Sequence, residues 1–263
     1  MLIPRFGKRW EMVLWMFSGT AVAYTLRVNI SVGVDAMKDE LGWTVSDQGL
    51  ILSSFFWGYA LGQIPGGRLA HRYGAKYIFA LSIFIPALLT LMFPLACELS
   101  FGLALTLRAL IGLCASPTFP CCFNFFCKWV SDAERPTVIS TVISGMYFGE
   151  IIGFSVSGYL STIPLTINGK NFGGWRLLFY VFGLLGLVWV PLWLYSTYER
   201  PEDHPTITPD ELMHIRSGGS NDAVLKLKNK EYTSDVTLSI NSPLLEHISE
   251  EKIPSKDKEV VSY

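Results

Sequence analysis

Between residues 10 and 198 the chain carries six stretches of mostly apolar residues, at 10–34, 46–69, 77–97, 101–126, 137–162 and 174–198. A helix rising 1.5 Å per residue needs about 20 such residues to cross a hydrocarbon layer of about 30 Å. Each stretch is long enough. In lipid the backbone must satisfy its own hydrogen bonds, and for separate apolar runs of this length helix does so. The sequence therefore predicts an all-α membrane protein with six transmembrane helices. Composition agrees: of 263 residues, 50% are hydrophobic and only 16% charged, against about a quarter charged in soluble domains. The average conceals a division. Residues 1–199 form the apolar bundle. Residues 200–263 are polar and charged, and are expected to be a cytoplasmic tail, mostly disordered.

Topology follows from the basic residues, which collect on the cytoplasmic side of short loops. Arg5, Lys8 and Arg9 precede the first stretch, Arg68, Arg72 and Lys76 join the second to the third, and Lys128 and Arg135 join the fourth to the fifth. The intervening loops hold Lys38, no basic residue, and Lys170 with Arg176. Both termini are thus expected in the cytoplasm. The basic N-terminus does not read as a cleavable signal, because the run after it is too long and contains Arg27. Cys97, Cys114, Cys121, Cys122 and Cys127 fit no zinc spacing and are read as small buried hydrophobes. The sequon Asn29-Ile30-Ser31 falls inside the first span, where glycosylation is not expected.

Two glycine stripes recur four residues apart, Gly58, Gly62 and Gly66 in the second span and Gly145, Gly149 and Gly153 in the fifth. Such spacing lets helix backbones approach closely. Their place on the second helix of each group of three hints at a 3+3 repeat. Three charges lie deep in the spans: Arg27, Arg108 and Glu150. Counted from the cytoplasmic ends, the arginines share a depth of about 17–18 residues, and Glu150 lies some 6–8 Å closer to the cytoplasm. An unpaired charge at mid-membrane costs at least about 2.5–3.5 kcal/mol, so these residues face one another or a polar cavity. One reading is an Arg–Glu pair that fixes helix register. The other is that Arg27 and Arg108 bind a substrate anion through their planar forks, with Glu150 a proton-carrying carboxyl. The four histidines fall in loops or the tail, and Gly66-Gly67 opens no phosphate-cradling motif. No enzyme activity, cofactor, metal or nucleic-acid partner is expected.

Gly67-Arg68-Leu69-Ala70-His71-Arg72-Tyr73-Gly74-Ala75-Lys76 resembles the signature between helices two and three of the major facilitator superfamily. Residues 53–67, Arg108 to Leu113, Thr118-Phe119-Pro120, Cys127-Lys128-Trp129 with Glu134-Arg135, Phe179 to Gly183, and Tyr198-Glu199 with His204 to Thr208 narrow it. As a set, over about residues 10–212, they resemble the anion/cation symporter family of sialin, vesicular glutamate transporters and sodium–phosphate cotransporters. The resemblance implies the N-terminal six-helix half of a major facilitator fold. It implies proton- or sodium-coupled symport of a small organic or inorganic anion by alternating access, in a plasma, lysosomal or vesicular membrane. Arg27 and Arg108 match the family's intramembrane arginines. Gly67, Arg68, His71, Arg72, Gly74 and Lys76 match a cytoplasmic conformational latch.

The departures are specific. His71 stands where the signature usually has an acid. Ala115 stands where many members carry Glu, so Glu150 is expected to substitute. Leu52 replaces the histidine of vesicular glutamate transporters, which points to a sialin-like or other organic anion rather than glutamate. The family has twelve helices, so both glycine stripes are expected to face a missing second half. The partners are then the bilayer, the anion with H+ or Na+, and a second six-helix half or a homodimer. The competing expectation is a non-transporting half-transporter that binds or regulates a full-length relative.

Overall fold

The computed structural model describes residues 7–167 and 170–217. It is almost wholly helical. α1 (Lys8–Leu41), α2 (Val45–Tyr73), α3 (Ala75–Leu99), α6 (Arg135–Ser161) and α7 (Trp175–Ser196) each cover one apolar stretch, and α4 (Phe101–Ala115) with α5 (Thr118–Trp129) covers the remaining one. A two-stranded antiparallel hairpin, β1 (Thr166–Ile167) and β2 (Lys170–Asn171), precedes α7. A short 3-10 turn (Pro201–Asp203) and α8 (Pro209–Arg216) follow it. Among the described residues, four helical segments combine the length and apolarity needed to cross a membrane: Ala75–Leu99, Phe101–Trp129 (α4 and α5 together), Arg135–Ser161 and Trp175–Ser196. α1 and α2 are long enough, but α1 buries Thr20, Thr25 and Asn29 and carries Arg27, which lowers its mean hydropathy.

Local chemistry sets the boundaries. α1 ends at Gly42, whose φ of 71° suits a residue without Cβ, and the Gly42 N–H donates to the Lys38 carbonyl. Thr44 and Asp47 then form a reciprocal capping box that starts α2. Ser100 ends α3 and caps α4 by accepting from the Leu103 N–H at 3.2 Å. Pro117, which cannot donate a helical hydrogen bond, separates α4 from α5.

The glycines decide how the helices pair. A methyl on Gly58 would collide with the Ala109 carbonyl of α4, and one on Gly112 with the Phe55 carbonyl of α2. These two helices are therefore in backbone contact. Gly62 and Gly66 continue the seam onto Ser116 and Pro117. Gly145, Gly149 and Gly153 pack on α1 at Phe17, Ala21 and Val28, and Gly183 and Gly186 of α7 pack on Leu91 and Ala87 of α3. This corrects the expectation that the stripes face an absent second half: both close seams within this chain. A close backbone approach also explains why glycine, rather than alanine, stands there. Around these seams lies an aromatic core that includes Phe79, Phe125, Trp129, Trp189 and Trp193. A second cluster at the opposite end gathers Ile30, Met37, Phe93, Trp175 and Phe179.

The segment after α7 is folded as far as Ser217. Residues 201–216 lie against the end of the bundle where α1 and α3 begin, with Pro201, His204 and Ile215 buried. The expected disorder therefore does not extend over 201–216, because these residues bring both apolar anchors and helix-capping acids. The rest of the expected tail, 218–263, lies outside the described residues. Among the cysteines, Cys97, Cys121 and Cys122 are buried, Cys114 is half-buried, and Cys127 is exposed.

Candidate functional site

Arg27 and Arg108 come together near the middle of the bundle. Arg108 is only 3% exposed, and its Nη2 donates to the Arg27 backbone carbonyl at 2.9 Å. Its Nε has no hydrogen-bond partner. Arg27 is half-buried, and its Nη1 donates to the Tyr24 hydroxyl at 3.3 Å. Aromatic rings surround this guanidinium. Its Cζ stands 4.9 Å from the centroids of both Phe55 and Phe56, 5.3 Å from Tyr24 and 5.7 Å from Tyr59. All four lie within the cation–π range of about 6 Å. Rings of this kind hold a cation without neutralising it. Among the described residues neither arginine pairs with a carboxylate.

A cleft of about 20 Å³ opens beside Arg27, lined in part by Tyr24, Phe55, Tyr59, Ala115 and Phe119. That volume holds about one water molecule, so a larger anion needs further walls. Ala115, the position where the resemblance leads one to expect an acid, lines this same cleft. Alanine there leaves the Arg27 side of the cleft without a carboxylate. Glu150 lies on α6, half-buried and within electrostatic reach of Tyr24. It forms no ion pair with Arg27 or Arg108, so the register-fixing Arg–Glu pair is not what the structure contains.

The basic segment lies on the last turns of α2 rather than in a loop, because α2 continues to Tyr73 before Gly74 ends it. Arg68, His71 and Arg72 are exposed there, and Arg72 lies over the Tyr73 ring at 5.4 Å. Gly67 is half-buried beside Pro120, and Gly74 takes φ 95° to start α3 without a break. Lys76 lies 5.5 Å from both the Tyr77 and Tyr198 rings. An acid from elsewhere in the chain reaches the start of α3. The Glu199 carboxylate accepts from the Ala75 N–H at 3.1 Å and the Lys76 N–H at 2.8 Å, and it pairs with Lys128. It thus caps α3, whose first amides have no helical acceptor. Glu211 of α8 does the same for α1, accepting from the Lys8 N–H at 3.1 Å and the Arg9 N–H at 3.0 Å. His204 packs edge-on against Trp129 and Tyr198, and burial holds its pKa below the ordinary histidine value. Sequence reasoning missed both caps. The signal was an acid immediately after the last apolar stretch and another after Thr208-Pro209.

At the opposite end, Arg176 ties three helices together. Its Nε donates to Glu98 of α3 at 2.7 Å, and its Nη1 and Nη2 donate to Glu40 of α1 at 3.1 and 2.7 Å. The Trp175 Nε1 also donates to Glu40, at 2.8 Å. The Arg176 hydrogen bonds hold the Glu40 carboxyl below the usual carboxylate range. This clamp was also unforeseen; in the sequence Arg176 counted only toward topology.

Comparison with known proteins follows the same lines. The sequence profile of the Major Facilitator Superfamily matches residues 16–250. The chain is 37% identical over 206 residues to "Sodium-dependent phosphate transport protein 1, chloroplastic" of Arabidopsis thaliana, which covers 78% of this chain and 38% of that protein. It is 36% identical over 214 residues to "Ascorbate transporter, chloroplastic" of the same plant, covering 81% and 38%. It is 31% identical over 223 residues to human "Vesicular glutamate transporter 2", covering 79% and 37%. The chain therefore spans under two-fifths of the length of these curated relatives. All three are transporters rather than enzymes. The fold resembles a bacterial homologue of the human lysosomal transporter Spinster in an inward-facing, occupied conformation, with TM-score 0.67 and 20% identity over 75% of this chain and 46% of that one. On the extent of the profile match, the chain belongs to the Major Facilitator Superfamily.

Proposed function

We propose that this chain forms one half of the path of a secondary transporter for small anions. Six helices, α1, α2, α3, the α4–α5 pair, α6 and α7, span the membrane, with the strapped end and both termini in the cytoplasm. Arg27 and Arg108 attract the anion, and Glu150 carries the proton in proton- or sodium-coupled symport by alternating access. Arg68, His71 and Arg72 belong to a latch that engages other surfaces as the transporter changes state. A 3+3 repeat fits the helix pairing. Exchanging the first helix with the fourth, the second with the fifth and the third with the sixth turns the α1–α6 seam into the α2–α4 seam and returns α3–α7 to itself. The carrying observation is the uncompensated Arg27 guanidinium, ringed by aromatics at the mouth of a cleft and backed by Arg108. Relatives named for phosphate and ascorbate transport support an anionic substrate. Leu52 favours an organic anion other than glutamate.

The test is uptake of labelled phosphate and ascorbate into liposomes holding the purified chain, under imposed H+ and Na+ gradients. Arg27→Gln and Arg108→Gln should each reduce uptake at least roughly tenfold, the loss of about one charge-assisted contact. Glu150→Gln should remove the response to a pH gradient. Uptake unaffected by either arginine change would overturn the assignment.

A second reading of the chain draws on the exposed apolar side chains of α2 (Phe56, Trp57, Leu61, Ile64) and α6 (Tyr147, Ile151), which could meet another protein. On this reading it is a half-transporter that binds or regulates a full-length relative. No uptake by the chain alone, with altered uptake when it is co-expressed with such a relative, would select it.

A further inference from the structure

Among the described residues, Phe55 is the one aromatic side chain within cation–π reach of both intramembrane arginines. Its ring centroid is 4.9 Å from the Arg27 Cζ and 5.3 Å from the Arg108 Cζ. Two guanidinium groups in a low-dielectric interior repel, and no carboxylate stands between them. An aromatic face offers a cation negative potential without accepting a proton or closing an ion pair. The ring is also fixed in place. It stacks on Tyr59 at 5.5 Å with an interplanar angle of 22°, and the Phe56 ring meets it edge-on at 5.6 Å. Its backbone carbonyl lies directly over Gly112, one helical turn beyond Arg108 on α4, where a methyl would collide with it. Phe55 is 3% exposed, so it carries no contact with bulk water.

We infer that Phe55 is a positioning residue for the anion site. It gives the Arg27 and Arg108 guanidiniums a shared aromatic neighbour that leaves both uncompensated, so that both remain available to one anion. This rests on the anion-binding reading above and adds the element that preorganises it. The seam glycine Gly112 and the ring of Phe55 act as a unit: the glycine sets the distance from α2 to α4, and that distance places the ring beside Arg108. A leucine at residue 55 would keep most of the volume and lose the π face.

Two measurements on the full chain in detergent micelles test this. In the first, 15N-arginine labelling reports the Nε–Hε resonances of Arg27 and Arg108, assigned by their loss in Arg27→Gln and Arg108→Gln. Phe55→Leu is expected to move both resonances and Phe55→Tyr to leave both near their original positions, while the Arg176 resonance stays put as a report of folding. A Phe55→Leu variant that leaves either resonance unmoved overturns the inference. Phe55→Met is the second variant if the leucine chain does not fold. In the second, thermal stabilisation is titrated with inorganic phosphate and with ascorbate. Phe55→Leu should raise the half-saturating concentration roughly tenfold, the scale of one desolvated cation–π contact, and Phe55→Tyr should restore it. Equal half-saturation in the original and leucine chains also overturns the inference. No stabilisation of the original chain by either anion, with both resonances still moved by Phe55→Leu, defeats the anion-binding reading and leaves the positioning role standing.

Discussion

Replacing Glu199 with Gln tests whether the strap after α7 holds the start of α3. Ala75 and Lys76 open α3, so their amides have no acceptor within the helix, and both donate to the Glu199 carboxylate. Glutamine keeps the shape but removes the charge, and its single carbonyl oxygen cannot serve both amides as the carboxylate does. Hydrogen bonds to a charged group contribute about 1.5–3 kcal/mol, and a negative charge at a helix N-terminus about 0.3–1 kcal/mol. The Glu199 side chain is 20% exposed and that of Lys128 is 34% exposed, so the ion pair itself adds only about 0–1 kcal/mol. The substitution should therefore cost about 2–3 kcal/mol, with the two amide bonds carrying most of it. At about 1.4 kcal/mol per factor of ten, the Ala75 and Lys76 amides should exchange with deuterium roughly 30- to 100-fold faster. The Lys8 and Arg9 amides, capped by Glu211, should be unchanged and serve as the control. The melting temperature in detergent should fall by about 4–10 °C. Unchanged exchange at Ala75 and Lys76 would refute the capping role outright.

Two further outcomes are expected. Gly149→Val places new carbon against the Ala21 backbone, which cannot move aside as a side chain can; overpacking should cost about 1–3 kcal/mol, read as a lower melting temperature, whereas Gly158→Val, with open space around it, should cost no more than its change in helix propensity. Arg176 holds the Glu40 carboxyl in its charged form, so Glu40 stabilises the fold at neutral pH and that contribution is lost as pH falls through its lowered native pKa. Glu40→Gln should therefore flatten the acid limb of a plot of melting temperature against pH, and an unchanged acid limb would show that the clamp contributes nothing to stability.

Length and apolarity led to the positions of the long helices, because an apolar run of this length satisfies its own backbone as helix. The boundaries were less legible. α1 runs past residue 34 to Leu41 because nothing before Gly42 stops it, and charged residues beyond the apolar stretch remain helical. Residue counts led one to expect Arg27 and Arg108 at a similar depth, and the structure brings them together through the hydrogen bond from Arg108 to the Arg27 carbonyl. The rings around Arg27 were not readable as a site. Phe55, Phe56 and Tyr59 look in sequence like any apolar stretch, and only the packing of α2 against α1, with α4 behind it, brings them around Arg27. The glycine stripes announced close approach but not the partner, since a stripe says which face is thin and not which helix meets it. Glu199 and Glu211 were hidden for a related reason. Both lie in a polar stretch where a single acid carries no periodic signal, and each acts on an amide distant in sequence.

That distance bears on the order in which the chain is made. The Lys8 amide waits for a carboxylate 203 residues later, and the Ala75 amide for one 124 residues later. During synthesis α1 and α3 are made well before the residues that cap them, so their leading amides begin without those partners. They are capped only when the segment after α7 has been made and folds back. A ribosome halted before Glu199 leaves a chain that lacks both caps.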